Sequence, residues 1–410
     1  MNVLFLAHRL PYPPNKGDKI RSYHMLRHLA ARHDVWVASL VDDPRDVPHV
    51  DGLRALVREV HVDRLDGRSK PVAALKAMAT GQPVTLRWFH TNALQAAVDA
   101  LVERVEFDAV VCFSSPMAEY VFRSRHAGGK LARAAKAMDL IDVDSCKWRQ
   151  YAERAKGPAR FVYEREGRLL ADYERRLARE FDALFVTSEQ EKTFFPGGAG
   201  VPNLHAMQNG VDLEGYAPGT RPALDLGPAA LVFTGVMDYW PNVEGVQWFA
   251  DRVWPRVMAA VPEARFYVVG SRPTKDVQQL ASRAGITVTG YVDDVRDYLA
   301  GAAACVAPLR IARGLQNKVL EAMASARAVV ATPEAFEGIA GEAGRDALVA
   351  ADETSFADAC VRLLQDPAAA ARLGANARAC MERGYAWDRN LRVLDEFMDG
   401  AARRRSTVNA

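Results

Sequence analysis

Gly314-Leu315-Gln316-Asn317-Lys318-Val319-Leu320-Glu321-Ala322-Met323-Ala324 is the stretch whose reading settles the architecture of this chain. It lies between two apolar runs, residues 304–307 and 328–331, each the length of a short buried strand. A glycine opens a helix here, and the first turn is polar. Free N–H groups in such a turn, reinforced by the helix dipole, make an anion site. Lys318 adds a mobile positive charge to that turn. Glu321 lies four residues after Asn317, so both project from one face with the carboxylate a turn deeper. A phosphate at the helix mouth and a diol on the carboxylate together describe a nucleotide diphosphate. Leu315, Val319, Leu320 and Met323 also suit plain packing of the helix on a sheet.

Outward from this unit the same alternation runs through the whole sequence. Strands are expected at 3–7, 35–41, 60–62, 109–113, 137–141 and 183–186, separated by helical stretches such as 20–31 and 148–180. Residues 216–228 carry Pro218, Gly219, Pro222, Gly227 and Pro228 and read as an extended linker. The alternation then restarts with strands at 229–234, 265–269, 286–289, 304–307 and 328–331, followed by two helices over 354–382 and a last one over 387–403. Short strands between longer helices imply parallel pairing with helices on both faces. The expected architecture is α/β, with two doubly wound, Rossmann-like domains. Residues 1–215 form the first and 216–386 the second, and a ligand cleft lies between them.

At 410 residues the chain is too long for one ordinary core, and its composition is globular. No apolar run reaches the length of a membrane span, and the first residues read as a strand rather than a signal peptide. Five scattered cysteines, odd in number and without C-x-x-C spacing, suit a reducing compartment and argue against structural zinc. Residues 1–200 carry 31 Lys and Arg against 26 Asp and Glu, and the remainder carries 22 against 25. That imbalance is too small for nucleic-acid binding and compatible with weak attraction to an anionic lipid surface. Arg68, Lys70, Lys76 and Arg87 surround Val72, Ala73, Leu75, Met78 and Trp88 in a stretch suited to such an interface or to a basic-edged buried helix. A cytoplasmic protein with peripheral contact at the inner membrane face is expected.

Several other clusters carry chemistry. The loop from His8 to Arg21 leaves the first strand for the first helix. In it Gly17 allows close backbone approach, Asp18 follows, and Lys16, Lys19 and Arg21 give a positive rim. It matches neither the P-loop nor the dinucleotide fingerprint, and a proline-stiffened turn with surface lysines explains it equally well. Asp139, Asp142 and Asp144 crowd the end of a strand. Asp142 suits an active-site or acceptor-facing carboxylate better than a metal ligand, and Asp144 also suits an N-cap. His24 and His28 share a helix face, read as solvated because no third ligand stands nearby. Gly235 opens a ligand-facing loop that runs on to Asn242. Arg272, Arg310 and Arg313 sit near strand exits or the anion-binding helix, where any of them could reach a diphosphate.

With these pieces in place the sequence resembles the retaining glycosyltransferases of group 1, also called family 4, which have the GT-B fold. The carriers are Gly17-Asp18-Lys19-Ile20-Arg21, Asn209-Gly210-Val211-Asp212, Gly314 through Ala324, and the segment from Pro333 to Gly338. Leu10-Pro11-Tyr12-Pro13-Pro14, Asp142-Val143-Asp144-Ser145-Cys146-Lys147-Trp148 and the 237–242 loop look more narrowly like exosortase/PEP-CTERM-associated sugar transferases of exopolysaccharide synthesis.

The resemblance implies a nucleotide sugar on the second domain and a glycan or polyprenyl-linked acceptor on the first. It implies no cofactor and no required metal, and a last helix that crosses back onto the first domain. Donor binding would involve Gly235, Arg272, Arg313, Gly314, Leu315, Asn317, Lys318 and Glu321, with Glu321 on the ribose. Gly17, Asp18, Lys19 and Arg21 would form an acceptor or phosphate loop. Lys318, Arg310 and Asp142 are the candidate catalytic groups. Two departures stand out. Arg313 occupies the place of the family's first signature glutamate, and Asp238 and Asn242 stand where an Arg and a Lys are usual. A nucleotide-sugar epimerase of the same fold and a non-catalytic nucleotide-sugar-binding scaffold are the alternatives.

Overall fold

The computed structural model describes residues 1–65, 70–312 and 314–408. It divides into two units, Met1–Gln208 with Asn390–Ala410, and Asn209–Arg389.

The first unit is built on seven strands: β1 (Asn2–Ala7), β2 (Asp34–Val41), β3 (Glu59–Arg64), β4 (Ala109–Phe113), β5 (Ala135–Ile141), β6 (Ala183–Val186) and β7 (Leu204–Ala206). They lie in the order β3-β2-β1-β4-β5-β6-β7, and every pair is parallel. β4 and β6 are buried from end to end. Helices cover both faces of such a sheet, so its central strands need apolar residues at successive positions rather than alternate ones. The helical stretch expected over 148–180 is two helices, Asp144–Arg154 and Pro158–Glu180. Gly157 breaks it at φ 61°, a value that favours glycine, and Pro158 starts the second helix where its missing N–H costs nothing.

Two buried glutamates lock this unit. Glu166 accepts from the N–H groups of Val84 and Thr85, capping the helix Val84–Trp88. Glu174 accepts from Ser145 N–H at 2.9 Å and also bonds its hydroxyl. The helix Arg392–Val408 joins the unit through Asp395, which pairs with His28 at 2.8 Å, and through Arg404, which pairs with Asp182 at 2.7 Å. The reading of His24 and His28 as a solvated face is therefore corrected. Both are nearly buried, and His28 is engaged by that helix.

The second unit carries β8 (Ala230–Thr234), β9 (Arg265–Val269), β10 (Ile286–Gly290), β11 (Ala304–Ala307), β12 (Ala328–Ala331) and β13 (Leu348–Val349), in the order β10-β9-β8-β11-β12-β13. These pairs too are parallel. β13, only two residues long, gave no periodic signal in the sequence. The Pro- and Gly-rich residues 216–228 lie within this unit rather than forming a free tether. Arg221 holds them to Asp297 at 2.8 Å, and the Tyr267 hydroxyl donates to the Leu226 carbonyl.

All five cysteines are buried and unbridged. Among the described residues no helix is long and apolar enough to cross a membrane.

Candidate functional site

In the second unit the strand order reverses between β8 and β11. Ligands of open parallel sheets bind outside the strands' carboxyl ends at such a reversal. Gly235 leaves β8 there, and Gly270 leaves β9 beside it. Gly270 sits at φ 149°, and a Cβ on it would lie 1.7 Å from the Gly235 carbonyl oxygen. A Cβ on Gly235 would in turn lie 2.8 Å from the Asn242 amide nitrogen. Neither position admits a side chain, so Gly235 is fixed by packing as well as by its place at the site.

The helix expected from Gly314 begins at Asn317 and ends at Ala324. Gly314 at φ 65° and Gln316 in extended backbone shape a loop instead, so Gly314 and Leu315 precede the helix. Lys318 is not the mobile charge expected at its mouth. Its ammonium donates to Asn242 Oδ1 at 2.9 Å and lies 5.3 Å from the Phe233 ring centroid. Burial brings its pKa down to about 8, against the pull of Glu321. One turn on, burial raises Glu321 to about 7, opposed by the Lys318 charge and by the neighbouring Tyr216 hydroxyl. Lys318, Asn242, Glu321 and Tyr216 thus form one polar cluster in an otherwise apolar setting.

Arg272 pairs with Asp238 at 3.2 Å and Arg310 with Glu244 at 3.2 Å. Both arginines are exposed, and ion pairs of this kind are weak enough to exchange for a ligand. Arg313 lies outside the described residues.

The positive rim expected on the first loop is corrected. Lys19 and Arg21 are each 1% exposed, although both come from the first turn and a half of the helix Gly17–Ala30. Lys19 pairs with Asp46 at 2.9 Å. Arg21 grips both oxygens of Asp139, at 2.6 and 3.2 Å, and donates to the Met207 carbonyl. Their charges are spent inside the unit. Gly17 is simply the first residue of that helix, while Asp18 receives Arg9 at 2.5 Å.

The three aspartates at the end of β5 have separate partners. Asp139 holds Arg21, Asp142 receives the Thr187 hydroxyl at 3.4 Å, and Asp144 receives the Ser115 hydroxyl at 2.9 Å. Asp144 is the first residue of its helix rather than the N-cap, which is Val143. Among the described residues no group of three or more His, Cys, Asp or Glu is arranged to hold a metal ion.

Sequence reasoning missed two participants. Tyr216 sits in a segment read as linker, with nothing local to mark its place beside Glu321. His8 directly follows β1 and was passed over for the lysines beyond it.

Residues 228–366 match the family model described as Glycosyl transferases group 1. That segment holds the whole β8–β13 sheet and the polar cluster except Tyr216. No curated protein sequence is similar enough to match. Solved structures share the fold over essentially the full length. Sucrose-phosphate synthase from Thermosynechococcus elongatus is 18% identical, with a TM-score of 0.66 and 100% of each chain covered. Anabaena HepE in complex with UDP-glucose is 13% identical, with a TM-score of 0.65, covering 98% of this chain and 100% of that one. A mutant of S. aureus TarM in complex with Fondaparinux, alpha-GlcNAc-glycerol and UDP is 11% identical, with a TM-score of 0.64, covering 97% and 99%. The fold is GT-B type, two Rossmann-like parallel-sheet domains, and the match to the group 1 model falls within the second of them.

Proposed function

We propose that this protein is a glycosyltransferase that moves a sugar from a nucleotide-diphosphate sugar to a glycan or lipid-linked acceptor. The observation that carries the reading is the Lys318–Asn242–Glu321–Tyr216 cluster at the strand reversal of the second unit. A half-buried ammonium with an amide oxygen for a partner is poised to take an anion, and charge that develops on a leaving diphosphate is stabilised by a donor already in place. Glu321, a turn away, offers its carboxylate to ribose hydroxyls. Lys318 and Arg310 are the groups assigned to the leaving diphosphate, and Arg272 is a further donor-side cation.

The finer parts of the reading rest on the sequence resemblance. They are transfer with retention of anomeric configuration, a role in exopolysaccharide synthesis of the exosortase/PEP-CTERM type, and independence of metal. Cationic side chains in place of a divalent ion mean that turnover persists in excess EDTA. HepE bound to UDP-glucose and TarM bound to UDP and a glycoside support a nucleotide sugar and a glycan as partners. The surface of the first unit around the helix Lys70–Thr80 supports peripheral contact with an anionic membrane.

The decisive experiment is calorimetry with UDP, GDP and ADP, followed by turnover of the corresponding sugars with and without acceptor. Glu321→Ala should lose about 1.5–3 kcal/mol of nucleotide binding, the range for a hydrogen bond to a charged group. Unchanged affinity in a folded variant removes Glu321 from the site. Conversion of the nucleotide sugar alone identifies an epimerase, and binding without turnover on any acceptor identifies a scaffold.

A further inference from the structure

The first unit has its own strand reversal, between β1 and β4. His8 leaves β1 at that point, Ser114 and Ser115 leave β4, and Asp142 and Asp144 leave β5. Two residues on this rim hold left-handed backbone without being glycine: Ser114 at φ 78° and Ile141 at φ 69°. For a β-branched isoleucine that conformation is a steric outlier, and strain of this kind persists only where neighbours enforce it. Asp139 is the enforcer. Its carbonyl accepts from Ser114 N–H at 2.7 Å, and its carboxylate accepts from Ile141 N–H at 3.0 Å while Arg21 grips it from beneath.

Within this rim His8 is 7% exposed. It is stacked on Phe113 at 5.8 Å and meets Phe89 edge-on at 5.4 Å. Its Nε2 lies 3.6 Å from Asp18, a carboxylate that also takes the Arg9 guanidinium at 2.5 Å. A carboxylate on that side keeps the proton on Nε2. Nδ1 is then a bare acceptor, and it is buried with no hydrogen-bond partner among the described residues. An orphaned buried acceptor is costly in a folded protein and calls for an explanation. Asp144, at the next strand exit, has its carboxylate half-buried and takes the Ser115 hydroxyl at 2.9 Å.

We propose that this rim is the subsite for a carbohydrate hydroxyl of the acceptor, with His8 Nδ1 taking the hydrogen bond and Asp18 fixing the tautomer. The hydroxyl supplies the hydrogen bond that Nδ1 lacks, and Asp144 takes a neighbouring hydroxyl. The subsite rests on the glycosyltransferase reading, but its test does not depend on the donor.

The full chain, labelled with ¹⁵N-histidine, is titrated at pH 8 with the octyl glycosides of glucose, galactose, mannose and N-acetylglucosamine below their micelle points. The His8 signals are assigned by their loss in His8→Asn. At least one glycoside should move the His8 Nδ1 resonance. His8→Phe, which keeps the ring packing and removes the acceptor, should weaken that glycoside about tenfold, the scale of one lost hydrogen bond. His8→Asn, whose amide oxygen restores an acceptor, should lie within about threefold of the parent. UDP binding should be the same in all three proteins. A His8 signal unmoved by every glycoside, or equal affinity in His8→Phe, overturns the proposal. Glycoside binding in a protein that binds no nucleotide leaves this subsite standing and removes the donor reading instead.

Discussion

The Lys318 ammonium donates to Asn242 Oδ1 at 2.9 Å, which joins the helix after β11 to the first turn of the helix Trp240–Trp248 that follows β8. One of the departures in the sequence, Asn242, thereby gains a partner. Asn242, where the sequence resemblance implies a lysine, presents an amide oxygen, and a cation from the neighbouring helix meets it. Lys318→Met should lower turnover by about 10²–10³, the scale for loss of one donor to a developing oxyanion. Adding Asn242→Lys to that variant should restore much of the loss, since it returns the charge to the same spot. A double variant as inactive as the single one separates the two positions functionally.

The depressed pKa of Lys318 gives this binding a pH signature. In the proposed site the protonated form is the one that would hold the diphosphate, and burial brings the free protein's Lys318 down from 10.5 to about 8. UDP affinity should therefore fall as pH rises through about 8, with proton uptake on binding above that point. Isothermal calorimetry in buffers of different ionisation heat reads the uptake directly. Lys318→Met should show neither effect.

Arg21 and Asp139 are built into the fold rather than offered to a ligand. Removing one partner of a buried pair strands the other, at a cost of about 3–5 kcal/mol. Arg21→Met and Asp139→Leu should each shift urea unfolding by that much, and the double variant should be less destabilised than the sum. Near-normal stability of Arg21→Met would return Arg21 to the list of ligand-binding cations.

Glu174 supplies a stability signature of the first unit. Burial pushes its carboxyl from 4.5 up to about 8, so the folded state binds a proton that the unfolded chain has released. A raised folded pKa stabilises below the unfolded value and loses that contribution as pH rises through the folded one. The melting temperature of this unit should thus fall between pH 4.5 and 8, and Glu174→Gln should flatten the fall. Parallel pH profiles for parent and variant would show that Glu174 is ionised in the fold.

The helix Lys70–Thr80 leaves Leu75 73% exposed, and the start of the helix Pro158–Glu180 leaves Phe161 65% exposed. Arg165 ties the two helices together by donating to the Ala77 carbonyl at 3.1 Å. Residues 67–98 contain Arg68, Lys70, Lys76 and Arg87 and no acid, and Arg68 lies outside the described residues. Apolar anchors with basic neighbours suit an anionic lipid surface. Vesicles rich in phosphatidylglycerol should retain the protein at low salt and release it at high salt, and Leu75→Glu with Phe161→Glu should abolish retention. Equal flotation of parent and variant would place any membrane contact elsewhere.

Much of the architecture was legible because both sheets are parallel and buried. Their strands read as continuous apolar runs, and β4, β6, β9, β11 and β12 fall where the sequence places them. The helix carrying Lys318 and Glu321 was legible in kind, though its start was not. Gly314 was read as its first residue, whereas its positive φ turns the chain before the helix begins. What stayed hidden was pairing at a distance. Nothing near Arg21 announces Asp139, and nothing near Glu321 announces Tyr216, because a charged residue in a loop looks the same whether it faces water or a partner brought in by the fold. His8 was invisible for a related reason: its interest lies in a partner it lacks.

The second unit is spliced into the first between Gln208 and Asn390, and its two ends are clasped together where Val211 N–H donates to the Tyr385 carbonyl at 2.8 Å. This changes the order of events during vectorial synthesis. The sheet of the first unit leaves the ribosome early, yet the helix that brings Asp395 to His28 is made after the whole second unit. The inserted unit is therefore complete in the nascent chain while its host still lacks a helix, which inverts the usual N-terminal-first sequence. The same clasp makes the insert a cassette. Its entry and exit are held side by side by that hydrogen bond, as in a segment inserted into its host at a single point.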